Sequence, residues 1–291
     1  MIKMSKGCYA PTIHNIWCGN QACQHTEMRD YMKTIKIKQI GLGLLIPVII
    51  VLAWYLSTTF GSVPPSLLPG LSKVGNTFLS ILQSGRLVSD LSISLSRVLK
   101  GYLLSAVIGV TLGSIMGMSS NMRYVFQPIV TVIRQIPMIA WIPLIILWAG
   151  IGEASKVIVI VIAAVFPILV NTLSGISSTS GNYVEVAKLY KLSKWKTFIR
   201  VYLPHALPQI LVGLKLGLGV SWMAVVASEL IASTSGIGYR MSDARSLMQS
   251  DVVIICMIVI GLLGIIMDKG LSILFSLFTP WKKLEKSAES N

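Results

Sequence analysis

Long apolar runs separated by short polar segments dominate the pattern of residues along this chain. A run of about 20 predominantly apolar residues is enough to cross the hydrocarbon core of a bilayer as an α-helix. On this pattern we predict six membrane-spanning helices, at residues 40–58, 101–122, 124–150, 157–174, 207–232 and from 252 to about 278. The expected fold class is therefore an all-α integral membrane protein.

The segments between these runs predict the remaining elements. Residues 61–70 are rich in proline and glycine and predict an external loop, and the mixed residues 72–97 predict a surface or gating helix. A glycine-rich external turn at residues 235–239 leads into a short polar helix through residue 250. Three glycines at four-residue spacing, Gly109, Gly113 and Gly117, form a small-residue stripe that favours close helix packing.

Residues 182–208 are the one long polar interruption in the second half of the chain. Asn182 with Glu185 has the form of a capping box, and Ser193 is a suitable start for a second helix. Proline lacks the amide donor, so we expect Pro204 and Pro208 to end that helix. Its apolar positions recur on one face: Trp195, Phe198, Ile199 and Tyr202. Such a helix-turn-helix fits either docking to another protein or lying on a lipid surface.

Composition and charge place the chain in the membrane. The 291 residues are 54% hydrophobic and only 12% charged, with a mean hydropathy of +0.74 and a net charge of +14. The lysines and arginines cluster beside apolar runs, which is the positive-inside pattern and argues against a nucleic-acid-binding groove. The flanking clusters predict cytoplasmic N- and C-termini: Lys33, Lys36 and Lys38, then Lys282, Lys283 and Lys286.

The cysteines and histidines do not predict a metal site. Cys256 lies within an apolar run, where it is expected to be a small core residue. The N-terminal residues Cys8, Cys18 and Cys23, with His14 and His25, lack the closely spaced ligand pairs of a zinc site. We predict that residues 1–31, which lack the apolar segment of a signal peptide, form a disordered extension, with Met28 or Met32 as alternative starts.

Arg134 is the residue of the third predicted span with the clearest functional potential. At 1.5 Å per residue it lies about 16 Å along the helix from Arg123, near the middle of the bilayer. An arginine at this depth is expensive unless it faces water or a partner. Pro137 and Pro143 follow it and free backbone carbonyls, as in helices that line cavities. We therefore predict a substrate pathway at Arg134; the alternative is a structural ion pair with Glu229 of the fifth span.

The loop at residues 182–208 resembles the cytoplasmic "EAA" loop of ABC-importer permeases. The resemblance rests on Glu185-Val-Ala187 and on Val201-Tyr-Leu203-Pro204, at the spacing of that family's pattern. Lys191 stands where the family has glycine, at a turn where a positive φ costs a lysine about 1 kcal/mol. Either the turn moves toward Leu192 and Ser193, or the loop docks with altered geometry.

Further segments resemble the permeases for sulfonates, taurine, nitrate and bicarbonate, over residues 73–281. They are Ser96-Arg97-Val98, Arg134-Gln-Ile-Pro137, Ala140-Trp141-Ile-Pro143-Leu, Phe166-Pro167-Ile-Leu-Val-Asn171-Thr, Ser235-Gly-Ile-Gly238-Tyr239 and Asp243-Ala-Arg245. The expected substrate is an aliphatic sulfonate, with nitrate, taurine, bicarbonate or a thiamine-precursor pyrimidine as alternatives. An ion-coupled secondary transporter is the alternative of another class, although Glu229 is the only clear intramembrane acid and no inverted repeat is visible.

The resemblance implies a non-catalytic permease subunit in a bacterial cell membrane. It implies a homodimer that works with a separate ATPase, which binds ATP and Mg²⁺, and with an extracytoplasmic substrate-binding protein. No phosphate-binding loop occurs in this sequence, and no cofactor or metal is expected in this chain. The implied ATPase-coupling residues are Glu185, Ala187, Lys191, Leu203 and Pro204, and the pathway candidates are Arg134, Pro137, Trp141 and Glu229.

The expected domain organisation has four parts. Residues 1–31 are the extension, residues 32–95 hold the first span and an external segment, residues 96–280 form the core permease domain with the coupling loop, and residues 281–291 are a cytoplasmic tail.

Overall fold

The computed structural model describes residues 43, 45–61 and 64–278, in two units that divide after Val63. In the first unit, helix α1 (Leu45–Thr59) is apolar and its side chains are largely exposed, as the first predicted span requires. The predicted extension at residues 1–31, the lysines at 33, 36 and 38 and the predicted tail at residues 281–291 lie outside the described residues.

The described part of the second unit is helical, and its helices follow one another with short connections. They are α2 (Leu71–Gln83), α3 (Arg86–Met118), α4 (Ser120–Gln135), α5 (Met138–Ala149), α6 (Glu153–Ser177), α7 (Gly181–Leu189), α8 (Lys194–Thr197), a π-helical turn (Phe198–Tyr202), α9 (Leu203–Ala232), α10 (Ile237–Ser246) and α11 (Ser250–Phe278). The all-α prediction is confirmed.

Four helices of the described chain are long and apolar enough to cross a membrane: α3, α6, the continuous helix Lys194–Ala232, and α11. Helices α4 and α5 together form a fifth candidate that is bent by 98° at their junction. Helix α1 is apolar but shorter than a full span over its described residues. Four of the six predicted spans are therefore unbroken full-length helices in the described chain, the third is a bent pair, and the first remains a prediction.

Helices α3, α6 and α9 form the centre of the second unit, and glycines bring their backbones together. A Cβ atom on Gly109 of α3 would lie 2.8 Å from the Ile168 side chain of α6, and one on Gly217 of α9 would lie 2.7 Å from the same side chain. Ile168 is fully buried between the two glycines. Gly113 and Gly117 also face α6, so the predicted small-residue stripe is a packing surface.

The single surface helix predicted at residues 72–97 is wrong. Helix α2 ends at Gln83, and Gly85, with a φ of 70°, occupies the left-handed conformation that suits a glycine between two helices. Helix α3 then begins at Arg86, well before the predicted start of the second span at residue 101. The prediction took the polar residues of this segment to face solvent. Ser94 and Arg97 are instead buried against other helices.

Candidate functional site

The third predicted span is broken at Ile136 and Pro137 instead of running as one helix through residues 124–150. Ile136 has an extended backbone conformation, with φ of −76° and ψ of 119°. The residue before a proline is pushed out of the helical region by the proline ring, so the break falls where Pro137 dictates. Pro128 and Pro143 lie inside α4 and α5, so only one of three prolines interrupts the span.

A cavity of about 480 Å³ opens at this break. Arg134, Pro137 and Trp141, three of the four predicted pathway residues, line it together. Helices α6 and α9 supply the rest of the described wall, which is mostly apolar and includes Phe166, Pro167, Asn171 and Val220. The broken helix therefore brings the predicted residues to one concave site.

Among the described residues that line this cavity, Arg134 alone is charged. Its side chain is exposed, and within the described chain it makes no hydrogen bond or ion pair. Gln135 and Asn171 add two amide groups, and the Asn171 Nδ2 donates to the Pro167 carbonyl oxygen at 2.8 Å. The guanidinium therefore remains available to a negatively charged ligand.

The first turn of α5 adds positive potential to the same wall. Pro137 is the N-cap of α5 and contributes no side-chain hydrogen bond to the helix. The first amides of an α-helix have no acceptor within the helix, and the N-terminal end of the helix dipole favours anions. Pro137 and Met138 both line the cavity, so this helix end and Arg134 attract the same kind of ligand.

Glu229, the fourth predicted pathway residue, lies away from this cavity. Its carboxylate is buried and accepts a hydrogen bond from Arg97 Nη1 at 2.7 Å and from the Ser94 hydroxyl at 2.8 Å. The alternative that Arg134 pairs with Glu229 is therefore wrong, because Arg97 of α3 occupies that position. The backbone amide of Gly238 also donates to Glu229 Oε2, at 3.0 Å.

Arg97 is the centre of a buried network, named here the Arg97 network, that joins α3, α6 and α9. Besides Glu229, its guanidinium binds both carboxylate oxygens of Glu153 and donates to the Ser235 carbonyl oxygen at 2.8 Å. Asp90, two turns before Arg97 on α3, pairs with Arg240 of α10. This network fixes the segment at residues 233–237 against the helices.

We did not predict the Arg97 network from the sequence, although a polar helix face in the sequence indicates it. Asp90, Ser94 and Arg97 lie at positions i, i+4 and i+7 of one helix and therefore share a face. A polar face on a helix that continues into an apolar span indicates buried partners. Gly236, with a φ of 104°, lies so close that a Cβ atom there would be 2.4 Å from Glu229 Oε1.

The predicted helix-turn-helix at residues 182–208 is present, with two corrections. Helix α7 begins at Gly181 with Ser180 as its N-cap and has no side-chain cap, so the predicted capping box of Asn182 and Glu185 is wrong. Both residues lie inside the helix, where their side chains are exposed. Ser193 does cap the second helix, since its hydroxyl accepts from the Lys196 amide.

The second correction concerns the prolines. Pro204 and Pro208 do not end a helix, because Lys194–Ala232 runs on as one continuous helix into the membrane span. The wide π-helical turn ends where the Leu203 amide donates to the Phe198 carbonyl oxygen, directly before Pro204. A proline inside a helix needs space for its ring and removes one backbone hydrogen bond, and the widened turn before Pro204 provides that space.

The turn between the two helices lies at Lys191 and is not displaced toward Leu192 and Ser193. Lys191 has a φ of 50°, the left-handed conformation. The Leu192 amide donates to the Ala187 carbonyl oxygen at 3.0 Å, and the Lys191 amide donates to that of Lys188 at 2.8 Å. These two bonds form a Schellman motif with lysine at the position that favours glycine.

Around this turn the loop has an apolar hollow and exposed large side chains. The hollow, of about 330 Å³, is lined by Tyr183, Val186, Ala187, Tyr190, Leu192, Arg200, Val201 and His205. Ala187 is buried beneath it, whereas Leu189, Tyr190 and Trp195 are exposed. The rings of Trp195 and Phe198 pack together with their centroids 5.7 Å apart, on the face predicted for them. This combination of a hollow and unpartnered apolar side chains is typical of a docking surface.

No group of three or more metal-ligating side chains occurs among the residues that the structure describes.

Comparison with known proteins gives a consistent result. Residues 109–281 match the family model described as the binding-protein-dependent transport system inner membrane component. The taurine transport system permease protein of Escherichia coli is 32% identical over 249 residues, which cover 84% of this chain and 90% of that protein. A Bacillus subtilis protein named as an aliphatic sulfonates transport permease protein is 34% identical over 240 residues, 82% of this chain and 87% of that protein. The nitrate import permease protein of Synechocystis is 37% identical over 187 residues, 64% of this chain and 68% of that protein.

Solved structures show the same fold at lower sequence identity. An inward-facing structure of the MetNI methionine ABC transporter superposes with a TM-score of 0.53 at 16% identity, covering 65% of this chain and 97% of that chain. An amino acid ABC transporter superposes with a TM-score of 0.54 at 20% identity, covering 69% of this chain and 96% of that chain.

Proposed function

Because this chain belongs to the family of binding-protein-dependent transport system inner membrane components, we propose that it forms the translocation pathway of an ATP-driven importer for a small anion. We propose an aliphatic sulfonate as the substrate. The single observation that carries this proposal is the unpaired Arg134 at the broken span, in a cavity whose described lining holds no carboxylate.

The chemistry of the cavity supports an anion with a small apolar part. Arg134 and the first turn of α5 attract negative charge from the same wall. The apolar side chains around them, such as Trp141 and Phe166, provide contact for a short alkyl group. A sulfonate carries a charged head and an apolar tail, so it uses both parts of the lining.

The chain performs no chemistry in this scheme. ATP and Mg²⁺ bind a separate ATPase subunit, and an extracytoplasmic binding protein delivers the substrate. The loop at residues 182–208 docks on the ATPase through the hollow beside Ala187 and through the exposed carboxylate of Glu185. Two copies enclose the pathway, and closure of the ATPase dimer on ATP draws their loops together, which rotates the spans around the substrate.

The test of this function is ATP hydrolysis by the complete transporter in liposomes. The chain is reconstituted with its ATPase and binding protein, and candidate anions are added outside. We expect ethanesulfonate to stimulate hydrolysis. In Arg134→Ala, the loss of a charged hydrogen bond, worth about 1.5–3 kcal/mol, should raise the half-stimulating concentration about 10- to 100-fold.

Two further variants make the result specific. Arg134→Lys keeps the charge and should recover part of the affinity, while Arg86→Ala removes an exposed arginine elsewhere and should change nothing. Equal stimulation of the wild type and Arg134→Ala would contradict the anion site. Stimulation by a neutral pyrimidine alone would contradict the substrate class but leave the transporter assignment intact.

A further inference from the structure

An ion pair joins α9 and α11 inside the apolar part of both helices. The Lys215 Nζ lies 3.2 Å from Asp268 Oδ2. At 1.5 Å per residue, Lys215 is about 18 Å from the Leu203 end of α9, and Asp268 is about 15 Å from the Phe278 end of α11. Both helices are more than 40 Å long on the same measure, so the pair lies within the roughly 30 Å hydrocarbon layer.

The described helices of the second unit do not enclose this pair. The side chains of Lys215 and Asp268 are 44% and 53% exposed. Several of their exposed neighbours are apolar, including Leu216 and Met223 on α9 and Ile265 on α11, and the exposed Lys269 follows Asp268 directly. Charged side chains within a membrane span are expensive against lipid, and they almost always face the interior of a helix bundle, a partner or water. The described helices of the second unit leave this pair open on one side, so a partner surface is expected there.

We propose that a second copy of this chain covers this face, with its own Lys215 and Asp268 placed against the first pair. The inference rests on the homodimer of the proposed function and assigns the surface through which the two copies meet. Close approach is sterically open, because no atom lies within 4 Å of the Cβ position of Gly219, one turn along α9 from Lys215.

The charge pattern suits this occupant in particular. Two copies with the same orientation in one membrane are related by a two-fold axis along the membrane normal, and such an interface uses the same patch twice. Lys215 and Asp268 lie at nearly the same depth, so the rotation keeps each at its level and exchanges their lateral order. Lys215 of one copy then faces Asp268 of the other, and four charges alternate around the axis. A helix from an unrelated protein has no comparable reason to match this pair.

The decisive test uses two complementary variants in the complete transporter. One copy carries Lys215→Asp and a first affinity tag, and the other carries Asp268→Lys and a second tag. Each variant alone places like charges across the interface, so we expect about tenfold less dimer, measured by native mass spectrometry of the purified complex. Co-expression should restore complexes that carry both tags to near the wild-type level.

The mixed complex is informative because the pair within each copy is broken in both variants. Recovery of the doubly tagged species can therefore arise only from contacts between copies. If each variant dimerises normally alone, or if mixing restores nothing, the inference is wrong.

A cysteine pair keeps the inference testable if these variants do not insert. In a background with Cys8, Cys18, Cys23 and Cys256 replaced by serine, Leu216→Cys should cross-link two copies with a short thiol reagent. Val107→Cys, at a more exposed position on α3, is the control and should not cross-link. Cross-linking through Val107→Cys alone would overturn the assigned face while leaving the homodimer intact. A complex that contains a single copy by mass would instead overturn the homodimer itself.

Discussion

Lys191 has a backbone conformation that is strained for a lysine, and no chemical role of its side chain explains why a lysine stands there. Its φ of 50° and the two hydrogen bonds of the Schellman motif hold the turn between α7 and α8 in the geometry that glycine prefers. Its side chain is exposed. The strain therefore lowers the local stability of the loop that is proposed to dock on the ATPase.

The variant Lys191→Gly should stabilise this loop by about 1 kcal/mol, because glycine adopts the left-handed conformation without a Cβ penalty. We expect amide hydrogen exchange across residues 181–193 to slow about fivefold if exchange proceeds by local opening. Hydrogen-exchange mass spectrometry of the purified transporter measures this directly.

Met248 provides a matched control for this prediction. It has a φ of 58° at the end of α10, where the Gln249 amide donates to the Ala244 carbonyl oxygen at 2.8 Å. Met248→Gly should slow exchange near residue 248 and leave residues 181–193 unchanged. Unchanged exchange in Lys191→Gly would show that the lysine side chain contributes as much stability as its backbone loses.

Residues differed in how well the sequence predicted their surroundings. The cap at Ser193 follows from a local rule, because it depends on a few neighbouring backbone groups. The turn at Lys191 follows from the spacing of the family's loop pattern. The packing glycines follow from their four-residue spacing, which predicts a close helix contact but not its partner. Arg134, Pro137 and Trp141 were predicted as a group and do share a cavity. The partner of Glu229 was not predicted, since Arg97 lies 132 positions away in the sequence and only the packing of α3 on α9 brings them together.

At the scale of elements, proline illustrates why helix boundaries were less predictable than helix existence. Pro137 breaks a span, whereas Pro143, Pro167 and Pro208 are accommodated inside helices. The outcome depends on whether neighbouring groups satisfy the freed carbonyl and make room for the ring, which is a property of the packed structure.

The contact between α3 and α6 gives a test of packing at this scale. A Cβ atom on Gly101 would lie 2.5 Å from Cγ2 of Ile160, which is fully buried. Gly101→Ala should therefore destabilise the chain by about 1–3 kcal/mol through overpacking. The loss appears as a lower midpoint of thermal unfolding in detergent.

A second substitution shows whether the cause is steric. Ile160→Ala removes the clashing atoms, so the double variant should be more stable than the sum of the two single losses predicts. Gly75→Ala in α2, where no atom lies within 4 Å of the Cβ position, is the control and should stabilise the chain slightly through the higher helix propensity of alanine. Simple additivity in the double variant would argue against direct contact.

For the whole molecule, the distribution of lysine and arginine predicts the orientation in the membrane. The loop at residues 182–208 carries Lys188, Lys191, Lys194, Lys196 and Arg200 against the single acid Glu185. Short loops with such an excess remain in the cytoplasm. The connection at residues 64–70 should then lie on the opposite side.

Labelling of single cysteines in intact cells tests this orientation. In the serine background, Leu67→Cys, at an exposed position, should react with a membrane-impermeant maleimide added outside. Lys194→Cys should react only after the membrane is permeabilised. The reverse pattern would falsify the cytoplasmic assignment of the loop and, with it, the site at which the ATPase is proposed to dock.

The unbroken helix from Lys194 to Ala232 has a mechanical consequence. Its 39 residues make a rod about 58 Å long at 1.5 Å per residue, with one end in the loop beside Ala187 and the other beside the Arg97 network. If the Arg97 network serves as the pivot, a tilt of about 10° moves the far end by about 10 Å. The π-helical turn at Phe198–Tyr202 is a five-residue departure from α-helical geometry within that rod. A force applied at the loop is therefore transmitted to the membrane span through this turn.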